Sequence, residues 1–122
     1  LIDYDAFCGI GAGRAQPDRE IGATELADQL RAKRGLVLLD VREPFEWDIC
    51  HLDEAVLIPL GELPGRLGEL DGHNEIVTYC HHGIRSMRAL EILRAAGFSR
   101  VRSLRGGIHA WAEDVEPQMS RY

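Results

Sequence analysis

The sequence predicts an α/β fold built on a parallel sheet, and three observations support this prediction. Short apolar runs alternate with longer segments of helical periodicity along the 122 residues, a pattern typical of strand–helix–strand units with right-handed crossovers. The run at 36–41 (LVLLDV) is apolar without alternation, as in a strand covered on both faces. The apolar content of 45% and charged content of 28% suit one globular domain with a single core.

The predicted helices and strands follow one another regularly. In chain order they are a helix that carries Leu26 and Leu30 and ends at Gly35, strands at 36–41 and 56–58, a helix at 63–70, a strand at 75–79, a helix at 87–96, a strand at 101–104 and a short helix that holds Trp111. Gly106 and Gly107 precede this last helix and would let it approach the sheet closely. We therefore interpret Trp111 as a core residue.

Composition excludes several classes of function. The formal net charge of −6 argues against nucleic acid as the main partner. No apolar run approaches the roughly 20 residues of a membrane span. The cysteines are three in number and scattered, so they form no disulfide framework and suit a reducing compartment. We expect a cytoplasmic protein with no membrane and no nucleic-acid partner.

The most informative segment is residues 80–86, Cys-His-His-Gly-Ile-Arg-Ser, between a predicted strand and a predicted helix. Backbone N–H groups and the positive end of a helix dipole favour the thiolate of a cysteine at such a position. Gly83 allows a positive φ, so that consecutive amides curl into an anion-binding nest. Arg85 adds a fixed cation. The pattern predicts that Cys80 is a nucleophile, against the alternative of a structural buried thiol.

A second candidate group ends the neighbouring strand. Asp40 and Cys80 both follow apolar runs, and ligands bind beyond the carboxyl ends of parallel strands. We expect Asp40 to support the loop, by accepting loop N–H groups or by pairing with Arg85. Arg42 is interpreted as a positive charge on the side of the site that faces the substrate. The alternative is that Asp40 and Arg42 are surface residues at a strand end.

Residues 43–54 offer weaker candidates. His51 is interpreted as a turn-stabilising histidine, with a general base as the alternative. Cys50 is interpreted as a packed thiol, with a disulfide to Cys80 as the alternative. Acidic side chains in and near this segment are expected to form a solvated face; they are Glu43, Glu46, Asp48, Asp53 and Glu54.

No metal site is predicted. Cys50-His51 and Cys80-His81-His82 contain soft ligands. They lack the Cys-x-x-Cys pair and the ordered spacing of zinc sites.

Several motifs in order resemble a rhodanese (sulfurtransferase) domain over roughly residues 21–111. They are Asp40-Val41-Arg42-Glu43, His51, Pro59, the segment 80–86 and Gly106-Gly107-Ile108-His109-Ala110-Trp111. The resemblance implies a parallel sheet of about five strands with helices on both faces, and no cofactor. Two departures are Cys50, where the family usually has glycine, and Glu54-Ala55, where it usually has Gly-Ala.

Both ends of the chain resemble a narrower group. Residues 1–9 and 116–122 are similar to rhodanese domains that follow a ubiquitin-activating-enzyme-like adenylyltransferase of the molybdopterin and thiamine sulfur-transfer type. Residues 9–20 are rich in glycine and alanine and read as a linker. We therefore expect residues 1–20 to be the tail of a preceding domain plus a linker, and residues 21–122 to be the rhodanese domain.

The resemblance implies a sulfurtransferase of the thiosulfate type. Cys80 would take a sulfane sulfur from thiosulfate or a cysteine desulfurase and hold it as a persulfide. The active-site loop would stabilise the persulfide anion through its amides; its residues are His81, His82, Gly83, Ile84, Arg85 and Ser86. Protonated His81 and His82 would make the pocket more cationic. The acceptor in the narrower group is the C-terminus of a ubiquitin-like sulfur carrier protein, in cofactor biosynthesis.

Two alternatives stay open. One is a non-catalytic rhodanese-fold docking module, against which the retention of Cys80, Gly83 and Arg85 speaks. The other is a cysteine phosphatase, because phosphatases of the cell-cycle type share this fold. Those place five residues between cysteine and arginine, whereas four separate Cys80 from Arg85. The shorter loop suits a sulfur atom better than a phosphate group.

Overall fold

The computed structural model describes residues 19–32 and 35–121. One five-stranded sheet organises them, with strands β1 (Glu20–Ile21), β2 (Val37–Asp40), β3 (Val56–Leu57), β4 (Ile76–Tyr79) and β5 (Val101–Leu104). The strand order is β1-β5-β4-β2-β3, and every pair is parallel. The predicted α/β class with a parallel sheet is confirmed. The predictions for the tail and most of the linker fall on residues 1–18, which lie outside the described residues.

Helices cover both faces of the sheet. They are α1 (Ala23–Arg31), α2 (Pro44–Ile49), α3 (Ile84–Ala95), α4 (Gly107–Asp114) and two 3₁₀ helices at Leu60–Gly65 and Leu67–Glu69. Alternate strand residues point to opposite faces, so Leu38 and Val77 pack with α1 and α4. Leu39 and Ile76 pack with α3 on the other face. In the described part of the chain no helix is long and apolar enough to cross a membrane.

The prediction of a single helix at 63–70 is wrong in the type of helix. The segment forms the two 3₁₀ helices, and Pro64 lies inside the first. Proline removes a donor and obstructs the regular α-helical ladder, so tight turns replace it. Leu63 is fully buried as expected, whereas Leu67 and Leu70 are half-buried.

Two elements had no counterpart in the sequence prediction. Strand β1 has only two residues, Glu20 and Ile21, and pairs with β5 at the edge of the sheet. Helix α2 begins with Pro44 and carries a capping box in which the side chains of Glu43 and Glu46 receive each other's backbone N–H groups. This start follows the sequence rules for helix N-termini. The remaining helices agree in place, and Trp111 is buried as predicted.

Candidate active site

The carboxyl ends of β2 and β4 lie side by side. Asp40 pairs in register with Tyr79, and Cys80 is the next residue of the chain. Helix α3 then starts at Ile84, three residues earlier than predicted, with Gly83 as its N-cap. The turn from β4 into α3 is therefore tight, and it brings the first amides of the helix against Cys80.

Two backbone amides point at the Cys80 sulfur. The N–H of Gly83 donates to Sγ at 3.1 Å and the N–H of Ser86 donates at 3.4 Å. Gly83 has a φ of 111°, a backbone conformation that residues other than glycine rarely adopt. Cys80 is only 1% exposed. The sulfur thus lies at the base of a loop whose dipoles favour an anion.

Ser86 joins the loop to strands β4 and β5. Its hydroxyl lies 2.7 Å from the Ser103 hydroxyl and donates to the Gly83 carbonyl at 3.2 Å. The Cys80 thiol donates to the same hydroxyl at 3.6 Å, and Thr78 donates to the Ser86 carbonyl at 2.9 Å. Thr78, Ser86 and Ser103 are completely buried. This network fixes the first turn of α3 relative to β4 and β5.

The start of α4 holds the loop from its other side. The amides of Ile108 and His109 donate to the carbonyls of Cys80 and His81 at 2.8 and 3.1 Å. This approach requires Gly107, because a Cβ there would lie 2.4 Å from the His81 carbonyl oxygen. Gly107 also has a φ of 64°. From the sequence, the glycine pair is expected to serve the core packing of Trp111. In the structure Gly107 also lets α4 contact the Cys80 loop.

Arg85 pairs with Glu46, contrary to the expected pairing with Asp40. The guanidinium donates to the two carboxylate oxygens of Glu46 at 2.7 and 2.9 Å. The side chain of Arg85 is 35% exposed and that of Glu46 is 6% exposed. Placing Glu46 on a solvated face was therefore wrong. The same carboxylate accepts the Glu43 N–H at 3.0 Å in the α2 capping box.

Asp40 and Arg42 form a buried ion pair with each other. The Arg42 guanidinium donates to both Asp40 oxygens, the shortest contact being 2.6 Å, and to the Cys50 carbonyl at 2.7 Å. Both side chains are 0% exposed, so assigning Arg42 as a substrate-side charge is wrong. The guanidinium carbon lies 5.4 Å from the centre of the Tyr79 ring. The pair thus ties the end of β2 to the backbone at Cys50.

The remaining candidates take supporting positions. His51 stacks on Trp47 with ring centres 3.8 Å apart, and its Nδ1 lies 3.0 Å from the Trp47 carbonyl. These contacts agree with a turn-stabilising histidine. Cys50 is half-buried and packs on the core beside α4, in agreement with a packed thiol.

His81 contributes less positive charge than expected. Burial lowers the pKa of its imidazole, as do the nearby charges of His82, His109 and Arg85. A lowered pKa keeps a larger share of the ring neutral at neutral pH. The cationic character expected from His81 is thus weakened.

Two large apolar side chains next in sequence to the Arg85–Glu46 ion pair are exposed. Ile84 is 83% exposed and Phe45 is 64% exposed. Each directly precedes one partner of the ion pair. The first residues of α3 and of α2 therefore present exposed apolar surface as well as the ion pair.

Sequence reasoning missed three residues that build the site: Thr78, Ser103 and Glu46. Thr78 lies in an otherwise apolar strand, Ser103 lies in a strand with apolar residues at both ends, and buried polar side chains need partners. That signal was available in the sequence. The partner of Arg85 was not, because it depends on the orientation of α2.

Known proteins resemble the chain over most of its length. A family model described as "Rhodanese-like domain" matches residues 22–114. A Mycobacterium tuberculosis protein named "Probable adenylyltransferase/sulfurtransferase MoeZ" is 42% identical over 127 aligned positions, covering 100% of this chain and 32% of that protein. The chain thus spans about a third of the length of that relative.

Two further relatives match almost end to end. A protein named "Sulfurtransferase" from Allochromatium vinosum is 36% identical, covering 80% of this chain and 92% of that protein. The crystal structure of a rhodanese-related protein from Thermoplasma volcanium superposes with a TM-score of 0.74 at 31% identity, covering 81% of this chain and 95% of that one. On the family match and these relatives, the chain belongs to the rhodanese-like domain family.

Proposed function

We propose that the domain is a sulfurtransferase that carries sulfane sulfur as a persulfide on Cys80. The supporting observation is the pair of amides, from Gly83 and Ser86, that donate to Sγ at 3.1 and 3.4 Å. Such donors stabilise the attacking thiolate and, later, the same thiolate as a leaving group. Relatives named as sulfurtransferases agree with this chemistry.

Transfer of a sulfur atom from thiosulfate to Cys80 needs no further reactant. The Cys80 thiolate attacks the outer sulfur of thiosulfate, the sulfur–sulfur bond of the donor breaks, and sulfite leaves with the electron pair. The product is a Cys80 persulfide anion. Its reacting atom lies about 2 Å beyond Sγ, the length of one sulfur–sulfur bond. Because Cys80 is only 1% exposed, this extension moves the reactive sulfur away from the base of the loop.

Transfer of the outer sulfur from Cys80 to a thiol acceptor is the reverse of loading. An acceptor thiolate attacks the outer sulfur, the persulfide bond breaks, and Cys80 leaves as a thiolate held by the same amides. The Ser86 hydroxyl lies 3.6 Å from Sγ. After the thiol has lost its proton, rotation of the hydroxyl lets it donate to the thiolate.

We further propose that the physiological acceptor is a protein, the C-terminus of a ubiquitin-like sulfur carrier. Ile84 and Phe45 support a protein acceptor, because they expose apolar surface next in the chain to Arg85 and Glu46, the two partners of the ion pair. Small donors such as thiosulfate need no such surface, whereas a partner protein buries it on docking. Transfer to this terminus requires the carrier as an acyl adenylate, formed by a separate reaction that the Cys80 site does not supply. The outer persulfide sulfur attacks the acyl carbon and AMP leaves; two equivalents of a small thiol then cleave the acyl disulfide into the carrier thiocarboxylate and free Cys80, and the thiol is oxidised to its disulfide.

Intact mass tests the persulfide. The protein is incubated with thiosulfate, with and without a thiol reductant, beside Cys80→Ser and Cys50→Ser. The expected result is a gain of one sulfur atom in the wild-type protein and in Cys50→Ser, reversed by the reductant, and no gain in Cys80→Ser. No gain in the wild-type protein with either thiosulfate or a cysteine desulfurase would contradict the proposal.

A parallel assay separates the alternatives. We expect no hydrolysis of an aryl phosphate, because both Sγ contacts come from a loop with four residues between Cys80 and Arg85. Hydrolysis that depends on Cys80 would support the phosphatase. A docking module would bind its partner equally well with Cys80→Ser and would load no sulfur.

The protein acceptor has its own test. Ile84→Ser should slow transfer from the loaded domain to a pre-adenylated ubiquitin-like carrier, in the presence of a thiol reductant, several-fold, since exposed apolar contacts at a docking surface carry affinity. Loading of the same variant by thiosulfate should stay unchanged. Val56→Ser is the control, because Val56 is also exposed, at 44%, but lies on the edge strand β3. Equal transfer by all three proteins would contradict this part of the proposal.

A further inference from the structure

Two histidines of the Cys80 loop and one histidine of α4 form a cluster. Their side chains have no part in the sulfur chemistry above. His81, His82 and His109 each place one ring nitrogen so that all three nitrogens lie within 4.8 Å of one another. His82 is exposed, and His81 and His109 are half-buried. The prediction of no metal site rests on the missing Cys-x-x-Cys pair and ordered ligand spacing, and it does not include His109 among the ligands. His109 comes from α4, a distant part of the chain.

The backbone fixes the two half-buried members relative to each other. The His109 amide donates to the His81 carbonyl at 3.1 Å, and the Ile108 amide donates to the Cys80 carbonyl at 2.8 Å. Gly107 makes this approach possible, because any Cβ there would overlap the His81 carbonyl. The juxtaposition of His81 and His109 is therefore part of the fold, and does not depend on side-chain rotamers alone.

A carboxylate also lies close to one ring. The Nε2 atom of His109 lies 3.4 Å from Glu113 Oε2, so a metal ion bound through Nδ1 would leave Nε2 to this carboxylate. Metal-binding histidines commonly donate their other ring nitrogen to a carboxylate, which fixes the ring and raises its basicity. Glu113 is one turn further along α4, so helical geometry places it correctly.

We infer that His81, His82 and His109 form a binding site for a divalent transition-metal ion of the zinc class. Imidazole suits Zn²⁺, Cu²⁺ and Ni²⁺, and three histidines leave a fourth position open to water or an anion. Metal–nitrogen bonds of about 2.0–2.1 Å require the nitrogens to lie roughly 3.4 Å apart in a tetrahedral site. The three nitrogens, which lie within 4.8 Å of one another, must therefore draw closer when an ion binds, and the exposed His82 ring is the freest of the three to move.

Binding of Zn²⁺ alone tests the site. Tag-free protein competes with a chromogenic chelator for Zn²⁺, beside His109→Gln, His82→Gln and the control His73→Gln, an exposed histidine outside the cluster. We expect one ion per wild-type chain, a loss of at least about tenfold in affinity for each cluster variant, and no change for the control. Circular dichroism confirms that each variant is folded.

Thiol variants separate this site from direct binding to cysteine. Cys50 lines the same crevice as His81 and His109, so Cys50→Ser and Cys80→Ser are measured alongside. Retained affinity in both would support the histidine site. No binding by the wild-type protein would overturn the inference, as would wild-type affinity in His109→Gln or loss of binding in a thiol variant alone. These outcomes do not depend on persulfide loading, so failure of this inference leaves the proposed function untouched.

Discussion

Two neighbouring strand ends in this domain have opposite uses. At the end of β2, Asp40 and Arg42 are both 0% exposed and neutralise each other. At the end of β4, Cys80 is also buried, but amides rather than an opposite charge face its sulfur. A paired ion has satisfied its electrostatic demand, whereas a sulfur surrounded by oriented amides gains most when it becomes an anion. Position at a strand end thus does not identify a reactive residue; the kind of partner does.

The same contrast separates the two arginines. Arg42 is fully enclosed and hydrogen-bonded to Asp40 and the Cys50 carbonyl. Arg85 forms its ion pair with Glu46 at the mouth of the loop and remains 35% exposed. We expect substitutions at the first pair to act on stability and substitutions at the second to act on sulfur transfer.

The largest expected effect is on stability, at the buried pair. Asp40→Leu should lower the free energy of unfolding by about 3–5 kcal/mol, because it leaves the Arg42 charge buried without its carboxylate. Urea denaturation measures this. The double variant Asp40→Leu/Arg42→Met should recover most of the loss, since no charge then stays buried. A double variant as unstable as the single one would contradict this account of the pair.

The next largest effect is expected at the contact of α4 with the loop. Gly107→Ala should cost about 1–3 kcal/mol of stability and most of the sulfur-loading rate, because its Cβ would collide with the His81 carbonyl at a φ of 64°. Gly68→Ala is the matched control, because nothing lies within 4 Å of a Cβ there. Thermal denaturation and intact mass measure the two effects. Normal loading by Gly107→Ala would show that α4 does not shape the loop.

A smaller effect, confined to activity, is expected at the mouth. Arg85→Lys keeps the charge but loses the two-pronged contact with Glu46. Sulfur loading should fall about tenfold, equal to about 1.4 kcal/mol, while the melting temperature changes little because the arginine is partly exposed. A fall in melting temperature as large as that of Asp40→Leu would remove the distinction between the two pairs.

The smallest effect is expected at Ser86. Ser86→Ala removes the hydroxyl that contacts Cys80 and Ser103 but keeps the amide that donates to Sγ. We expect a loss of about 1 kcal/mol in stability and a loading rate only a few times lower. Steady-state transfer from thiosulfate to cyanide measures the rate. Complete loss of transfer would mean that the hydroxyl, rather than the amides, stabilises the sulfur anion.

Local chemistry explains which features the sequence predicted. The apolar runs at 36–41 and 75–79 specify strands through neighbouring residues alone. The pairing of Arg85 with Glu46 depends on how α2 packs against the loop, so the sequence does not reveal it. The partner of Arg42 is only two residues away, at Asp40, but the complete burial of the pair depends on tertiary packing, so the sequence suggested a substrate-side charge instead. The 3₁₀ helices at 60–69 had a local signal in Pro64, which the leucine spacing outweighed in the prediction.

The most direct test of the central claim compares Cys80 with itself in the unfolded chain. Site-resolved alkylation by iodoacetamide at neutral pH is followed in the native protein and in urea, with Cys50 as the internal reference. If the Gly83 and Ser86 amides stabilise the thiolate, native Cys80 reacts faster than unfolded Cys80 despite its 1% exposure. Slower reaction in the native state, as for a buried structural thiol, would contradict the account.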